Sequence, residues 1–421
     1  MTLAHNPLAT PAQREIEAQA LRMFESAAMQ AVIARLRPLF LADPRAQTMS
    51  GRATLEQNLH EIAFSAATCA ASMDPARPRV AWTINLPHRW FGLDVPGSRH
   101  GVDNPDNIYR VAAIDEASSY ELQGRVPPEP APDVSFTIFS AYPGNGEDSH
   151  SLNVITLDEI DVGPDGRFVL SIDPRPADGR RNHLQVRPGA KLLFVRDSMH
   201  DWSRESPLAL EIVRLAGPDA APAGDDELIR RAVEIAERAV PYWIASMPKW
   251  FGQRAHNVIP QAGATNFAYA KQANVGAQWR LADDEALVIT VDRMGAAYLG
   301  CQIADPWGAA PDYVEHSASL NAAQAQPNAD GTYTFVIAKR DPQVHNWIDT
   351  AGLDEGTLLI RWQGVAPGAL VPERSVRHAG VVKHAELAGV LDEGTRSLTP
   401  GDRSRQIEAR RAAYARRLAH A

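Results

Sequence analysis

The chain has 421 residues, 45% of them hydrophobic and 22% charged, a composition that predicts two or three folded domains and excludes long disorder, fibrous repeats and small disulfide scaffolds. Its net charge of −9, with only five lysines among 42 basic residues and no basic block, disfavours nucleic acid and anionic lipid and points to a small-molecule partner. The two cysteines, Cys69 and Cys301, sit in apolar surroundings and read as buried free thiols of a reducing compartment.

In chain order, the N-terminus lacks a basic segment followed by an apolar one, and no run of about 18 apolar residues occurs anywhere, so a cytoplasmic location away from the membrane is expected. Residues 11–41 predict a helix and 55–73 a second. A third is predicted over 226–245, where Leu228, Ile229, Val233, Ile235, Ala236 and Val240 recur near helical spacing behind an Asp225 or Asp226 cap. A charged helix over 403–420, rich in arginine, is expected to dock on or solvate one end. Between these lie short β-branched or aromatic segments at 133–139, 167–172, 191–195, 286–291, 332–337 and 357–361, separated by Gly, Pro and Asp-Gly turns. Strand and long helix do not alternate, so a doubly wound α/β fold is disfavoured. The expected fold is mainly β with flanking helices: two tandem antiparallel β-sandwich or jelly-roll repeats. Its parts are an N-terminal helical region 1–80, a first sandwich 81–215, a linker and helix 216–246, a second sandwich 247–385 and a helical tail 386–421. The Ala-, Pro- and Gly-rich stretch 215–224 is the expected linker.

The tandem reading rests on an internal repeat. Leu86 to Gly92 matches Met247 to Gly252, Asn107-Ile108-Tyr109 matches Asn266-Phe267-Ala268-Tyr269, and Ser151-Leu152-Asn153 matches Ser319-Leu320-Asn321. Asp165-Gly166 then matches Asp330-Gly331, Phe168 to Pro174 matches Phe335 to Pro342, Asn182 matches Asn346, and Gly189 to Arg196 matches Gly356 to Arg361. Order is kept throughout.

In the second half, Tyr298 to Gln302, Trp307, Asp312-Tyr313, Ser319-Leu320-Asn321, Gln324, Asp330-Gly331, Asp341-Pro342, Asn346 to Gly352 and Arg361-Trp362 together resemble a bacterial family catalogued as domain of unknown function 1214. The first half is similar but more divergent, through Asp103 to Arg110, Arg196-Asp197, Asp201-Trp202 and Glu205. The resemblance implies a jelly-roll-like β-sandwich, and the tandem copies look similar in plan to double jelly rolls of glycan-processing hydrolases and viral capsid proteins. It implies no activity.

Three segments concentrate chemistry. The stretch from His100 to Arg110 holds Asp103, Asp106, Tyr109 and Arg110, able to grip a polar ligand and supply an acid or base; alternatively, Asn-Pro and Asp-Asn simply build a turn. Asp341 to Thr350 sets Trp347 beside Asp349, a stacking face with a hydrogen-bonding group, or a buried Trp with a tied loop. Arg196 to Glu205 places His200 next to Asp201, read as a surface ion network, and Arg196, matched by Arg361, as a fold determinant. None of the histidines has metal-binding spacing, so neither metal nor cofactor is expected; His100, His150, His183, His316 and His345 all fall in expected loops, and a metal site would need two or three of them to meet at long range. Serine-hydrolase, P-loop and dinucleotide motifs are absent.

The expected function is a cofactor-independent hydrolase or lyase using carboxylate acid/base chemistry on a small amphipathic substrate, sugar-like or terpenoid- or steroid-like. Asp103 or Asp106 would be the acid or base, and Arg110 would hold developing charge. His100, Tyr109, His150, Trp307, His345, Trp347 and Asp349 would bind substrate. The alternative is a noncatalytic carbohydrate- or metabolite-binding protein; a self-assembling structural protein is a third reading, and a homo-oligomer stays open.

Overall fold

The computed structural model describes residues 6–147, 149–264, 272–366 and 368–419. The helix expected over 11–41 is two, α1 (Pro11–Glu25) and α2 (Ala27–Ala42), broken at Ser26. The extended backbone of Ser26 ends α1, and its hydroxyl donates to Met23 O at 2.7 Å while accepting from Met29 N at 3.2 Å. One side chain thus closes one helix and caps the next. Ser26→Ala is expected to lower stability by about 1 kcal/mol, read as a shift of the urea midpoint at unchanged slope. Helix α3 (Met49–Ser72) begins at the Thr48 cap, earlier than the apolar pattern indicates, and is buried on nearly every side.

The first repeat contains β1 (Ala81–Thr83), a hairpin of β2 (His88–Trp90) and β3 (Leu93–Val95), then β4 (Asn107–Ala113), β5 (Ser119–Arg125), β6 (Asp133–Phe139), β7 (Ser151–Thr156), β8 (Arg167–Asp173), β9 (His183–Gln185), β10 (Leu192–Ser198) and β11 (Ala209–Ala216). Helix α4 (Asp225–Phe251) leads into the second: β12 (Gly263–Ala264), β13 (Ala273–Arg280), β14 (Glu285–Val291), β15 (Tyr298–Ala304), β16 (Ser319–Asn321), β17 (Tyr333–Ala338), β18 (Trp347–Asp349), β19 (Glu355–Gln363), the short α5 (Pro372–Ser375) and β20 (Val376–Lys383). Helix α6 (Pro400–Leu418) ends the chain's described part.

Each repeat folds into a five-stranded and a four-stranded sheet with the same connectivity. The first has orders β1-β4-β10-β6-β7 and β11-β5-β8-β9, the second β12-β13-β19-β15-β16 and β20-β14-β17-β18. Pairing is antiparallel, as expected, except that β9 runs parallel to β8 and β18 to β17. That both copies share the exception is stronger support for duplication than the sequence matches. The sheets of the first repeat meet through Phe136 and Phe168, edge to face at 6.0 Å.

The shared motifs have shared jobs. Gly166 and Gly331 follow their aspartates with φ of 79° and 82°, the left-handed turn that glycine adopts without strain. Asn182 exchanges hydrogen bonds with the Asp161 backbone, and Asn346 does the same with Gln326, so the structural reading of Asn346 holds. One match does not survive: Leu86 to Gly92 turns through the β2–β3 hairpin, whereas Met247 to Phe251 is the last turn of α4. The counterpart assigned to Tyr109, Asn266 to Tyr269, lies outside the described residues. Strand register instead equates Tyr109 with Asn274, since they pair with Arg196 and Arg361 respectively.

A continuous apolar core runs from α1, α2 and α3 through α4 into both repeats. Helix α6 straps the repeats together. Its Arg410 and Arg417 stack on Trp202 of the first repeat at 4.3 and 4.5 Å, and Arg403 stacks on Trp347 of the second at 4.9 Å. The arginine-rich tail is thus a docked helix.

Candidate functional site

The five-stranded sheets of both repeats turn a face to one cavity of about 520 Å³. Strand alternation selects the lining: Asn107 and Tyr109 from β4, Phe194 and Arg196 from β10, Asn274 and Gly276 from β13, Leu359 and Arg361 from β19. The end of α4 closes it with Trp243, Trp250 and Phe251. This closure depends on glycines. A Cβ on Gly101 (φ 70°) would lie 2.5 Å from Trp243, one on Gly144 (φ 90°) would strike the same indole, and one on Gly276 would strike Phe251.

His100 and Asp103 sit on this wall. The His100 imidazole stacks on Trp243, centroids 4.8 Å apart, with Nε2 3.1 Å from Ser65 Oγ. Burial pushes its pKa down to about 4, so it is neutral at pH 7. Asp103 accepts a hydrogen bond from Ala310 N at 2.8 Å. Burial pushes its carboxyl up to about 7, against the opposing pull of Arg99 and the Ala310 N–H, and leaves it able to take or give a proton near neutrality.

The loop that meets Asp103 is built by a second carboxylate. Asp305 accepts from the backbone N–H groups of Trp307, Gly308 and Ala309 and from Asn58. That nest aims Gly308 O at Val102 N (2.7 Å) and Ala310 N at Asp103, locking the second repeat onto the first.

Asp103 predicts a pH dependence. A folded pKa near 7 against an ordinary 3.8 means that its stabilising contribution is full below the ordinary value and is lost as pH rises through the folded one. Asp103→Asn is expected to gain stability relative to the native chain between about pH 4 and 8, read by urea unfolding at several pH values. Parallel pH profiles for the two proteins would refute this.

Tyr109 lines the cavity too, but the other sequence-selected residues do not converge on it. Asp106 is buried between the repeats, accepting from Trp202 Nε1 (2.7 Å), Tyr298 OH (2.6 Å) and Asn321 Nδ2 (3.0 Å). Arg110 is paired with Asp197 inside the first repeat and donates to Leu208 O. Both are tied up in structure, and the turn chemistry is present too, with Asn104 Oδ1 accepting from Asp106 N. Trp307 packs against Phe40 beneath the Arg45 guanidinium, with Nε1 donating to Gly51 O. Trp347 lies under Arg403 and donates to Ala338 O, so its ring is no open stacking platform. Asp349 pairs with His316 at 2.7 Å, His345 contacts Gln324 O, and His150 is exposed. His200 is mostly buried and its ring lies 5.9 Å from Tyr298.

Arg196 and Arg361 are the lining residues that the sequence reading placed elsewhere, as fold determinants. A signal existed: each is an arginine in the middle of an apolar strand, Leu192 to Ser198 and Glu355 to Gln363, two residues after Phe194 or Leu359. A buried strand position gives a guanidinium no reason to be there unless something polar faces it.

Among the described residues there is no group of three or more His, Cys, Asp or Glu that could hold a metal ion, and no helix is long and apolar enough to cross a membrane. Among solved structures, the chain is similar to an uncharacterised protein from Burkholderia cenocepacia, at 26% identity and a TM-score of 0.71 over 88% of this chain and 99% of that one. The VPA0106 protein from Vibrio parahaemolyticus is more distant, at 8% identity and a TM-score of 0.41 over 67% and 90%. No family model and no curated protein matches the chain.

Proposed function

We propose that the chain binds a small amphipathic molecule in the cavity between its two repeats, as a cytoplasmic protein of the tandem kind that its motifs resemble. The observation that carries this reading is the cavity itself. Its volume of about 520 Å³ falls in the range that small-molecule sites occupy. Aromatic side chains from α4 and β10 supply apolar wall, and a few amide, phenol and guanidinium groups converge on it.

A second reading is favoured by one specific residue. Asp103, on the cavity wall with its carboxyl near 7, is suited to move a proton, which supports a hydrolase or lyase using acid/base chemistry. Asp106 and Arg110 have no part in it, because their partners hold them within the structure. The test for both readings is a thermal-shift screen of sugars, terpenoids, steroids and acyl metabolites, with each stabilising compound recovered and weighed by mass spectrometry. A stabilising compound recovered intact supports the binding protein; one recovered with altered mass supports the enzyme, and full turnover of it by Asp103→Asn would leave the enzyme without its proposed acid/base.

A further inference from the structure

The cavity carries more chemical information than its size. The chain has a net charge of −9, yet among the described residues the charged ones lining this cavity are three arginines, Arg196, Arg254 and Arg361, against one carboxylate, Asp103. Arg361 is 8% exposed and forms no ion pair among the described residues; its guanidinium donates to Gln302 Oε1 and, at 2.6 Å, to Val102 O, both uncharged. Arg196 is 5% exposed, donating to Gln272 Oε1 at 3.0 Å and pairing with Asp133 at 3.5 Å.

The two arginines occupy matching positions. Arg196 pairs in register with Tyr109 and Arg361 with Asn274, and all four line the cavity. Burial lowers the pKa of Arg361, with Tyr109 and Tyr298 opposing the shift and the positive charge of Arg196 adding to it. Arg361, buried with no carboxylate partner among the described residues, is a costly charge to hold out of water, and an anion beside it would offset that cost. A carboxylate matches the planar fork of a guanidinium. The aromatic wall from α4 would then meet the uncharged part of the same molecule.

Resting on the reading of this cavity as a ligand site, we infer that its ligand is an anionic amphiphile, a carboxylic acid whose carboxylate sits between Arg196 and Arg361 and whose apolar body lies along Trp243, Trp250 and Phe251. The lone acidic residue does not oppose this: with its carboxyl near 7, Asp103 takes up a proton when a second negative charge arrives.

The experiment compares acids with alcohols of the same skeleton on the full chain: decanoate with decan-1-ol, and 2-naphthylacetate with 2-naphthaleneethanol. Binding is read by calorimetry and by the fluorescence of Trp243 and Trp250. At least one acid is expected to bind about tenfold or more tightly than its alcohol, the range expected for a hydrogen-bonded charge. Arg196→Gln and Arg361→Gln are expected to erase that preference by lowering acid affinity far more than alcohol affinity. Equal affinity of acid and alcohol would overturn the anion assignment and leave the cavity reading standing. Binding of none of the four probes would overturn both. If either variant fails to fold, the acid-to-alcohol ratio of the native chain decides.

Discussion

Asp106→Ala is expected to lower stability by about 3–5 kcal/mol, the sum of several buried donors left without an acceptor, less what admitted water restores. The side chain is 1% exposed and accepts three hydrogen bonds, from Trp202, Tyr298 and Asn321. Asp106 and Trp202 belong to the first repeat, Tyr298 and Asn321 to β15 and β16 of the second, so two of the three lost contacts join the halves. Trp202 is also the ring on which Arg410 and Arg417 of α6 stack, and loosening it weakens the strap. Asp106→Asn keeps the volume and one acceptor oxygen and should cost less than the alanine. Guanidinium chloride unfolding measures both. A cost under about 1 kcal/mol for the alanine, the scale of a single ordinary hydrogen bond, would mean that this network does not hold the repeats together.

The contrast between Asp106 and Asp103, three residues apart, marks where sequence reading runs out. Both fall in a segment whose composition suits a site or a turn, and the turn puts Asp106 into the inter-repeat network and Asp103 onto the cavity wall. Which carboxylate does which depends on loop 305–310 of the other repeat, about two hundred residues away in sequence. Local chemistry was legible because it is local. Asp-Gly turns and the Asn182 and Asn346 clamps recur with their strands, and most expected segments lie within observed strands, such as 133–139 in β6. The parallel β9 and β18 leave no mark, since a three-residue strand carries no pattern to tell its direction.

Repetition also misled. Residues kept in both halves invite a structural reading, which suits Asn182 and Asn346, whereas Arg196 and Arg361 also line the cavity. Two equivalent strands facing one another across an internal gap bring equivalent residues to the same place, so a duplicated fold can build its site from duplicated positions. The cap is the opposite case. Trp243, Trp250 and Phe251 come from α4, which joins the repeats and whose end is matched in sequence to a hairpin of the first, so amphipathic spacing shows that the helix has a buried face without showing what it covers.

That cap supports the second large effect. Trp243→Ala is expected to destabilise by about 3–5 kcal/mol, the usual scale for removing a buried Trp when the surroundings cannot collapse into the space. Collapse is hindered here, because the indole lies against the backbone of Gly101 and Gly144 and against His100. Gly144→Ala alone is expected to be harmful for two reasons, a methyl placed on the indole and a φ of 90° that alanine resists. In the Trp243→Ala background only the backbone penalty remains. The two substitutions should therefore combine to less than their sum, by more than the roughly 0.5 kcal/mol scatter of independent sites. A double-mutant cycle in urea measures that difference directly, and strict additivity would show that Gly144 is not what gives Trp243 room to close the cavity.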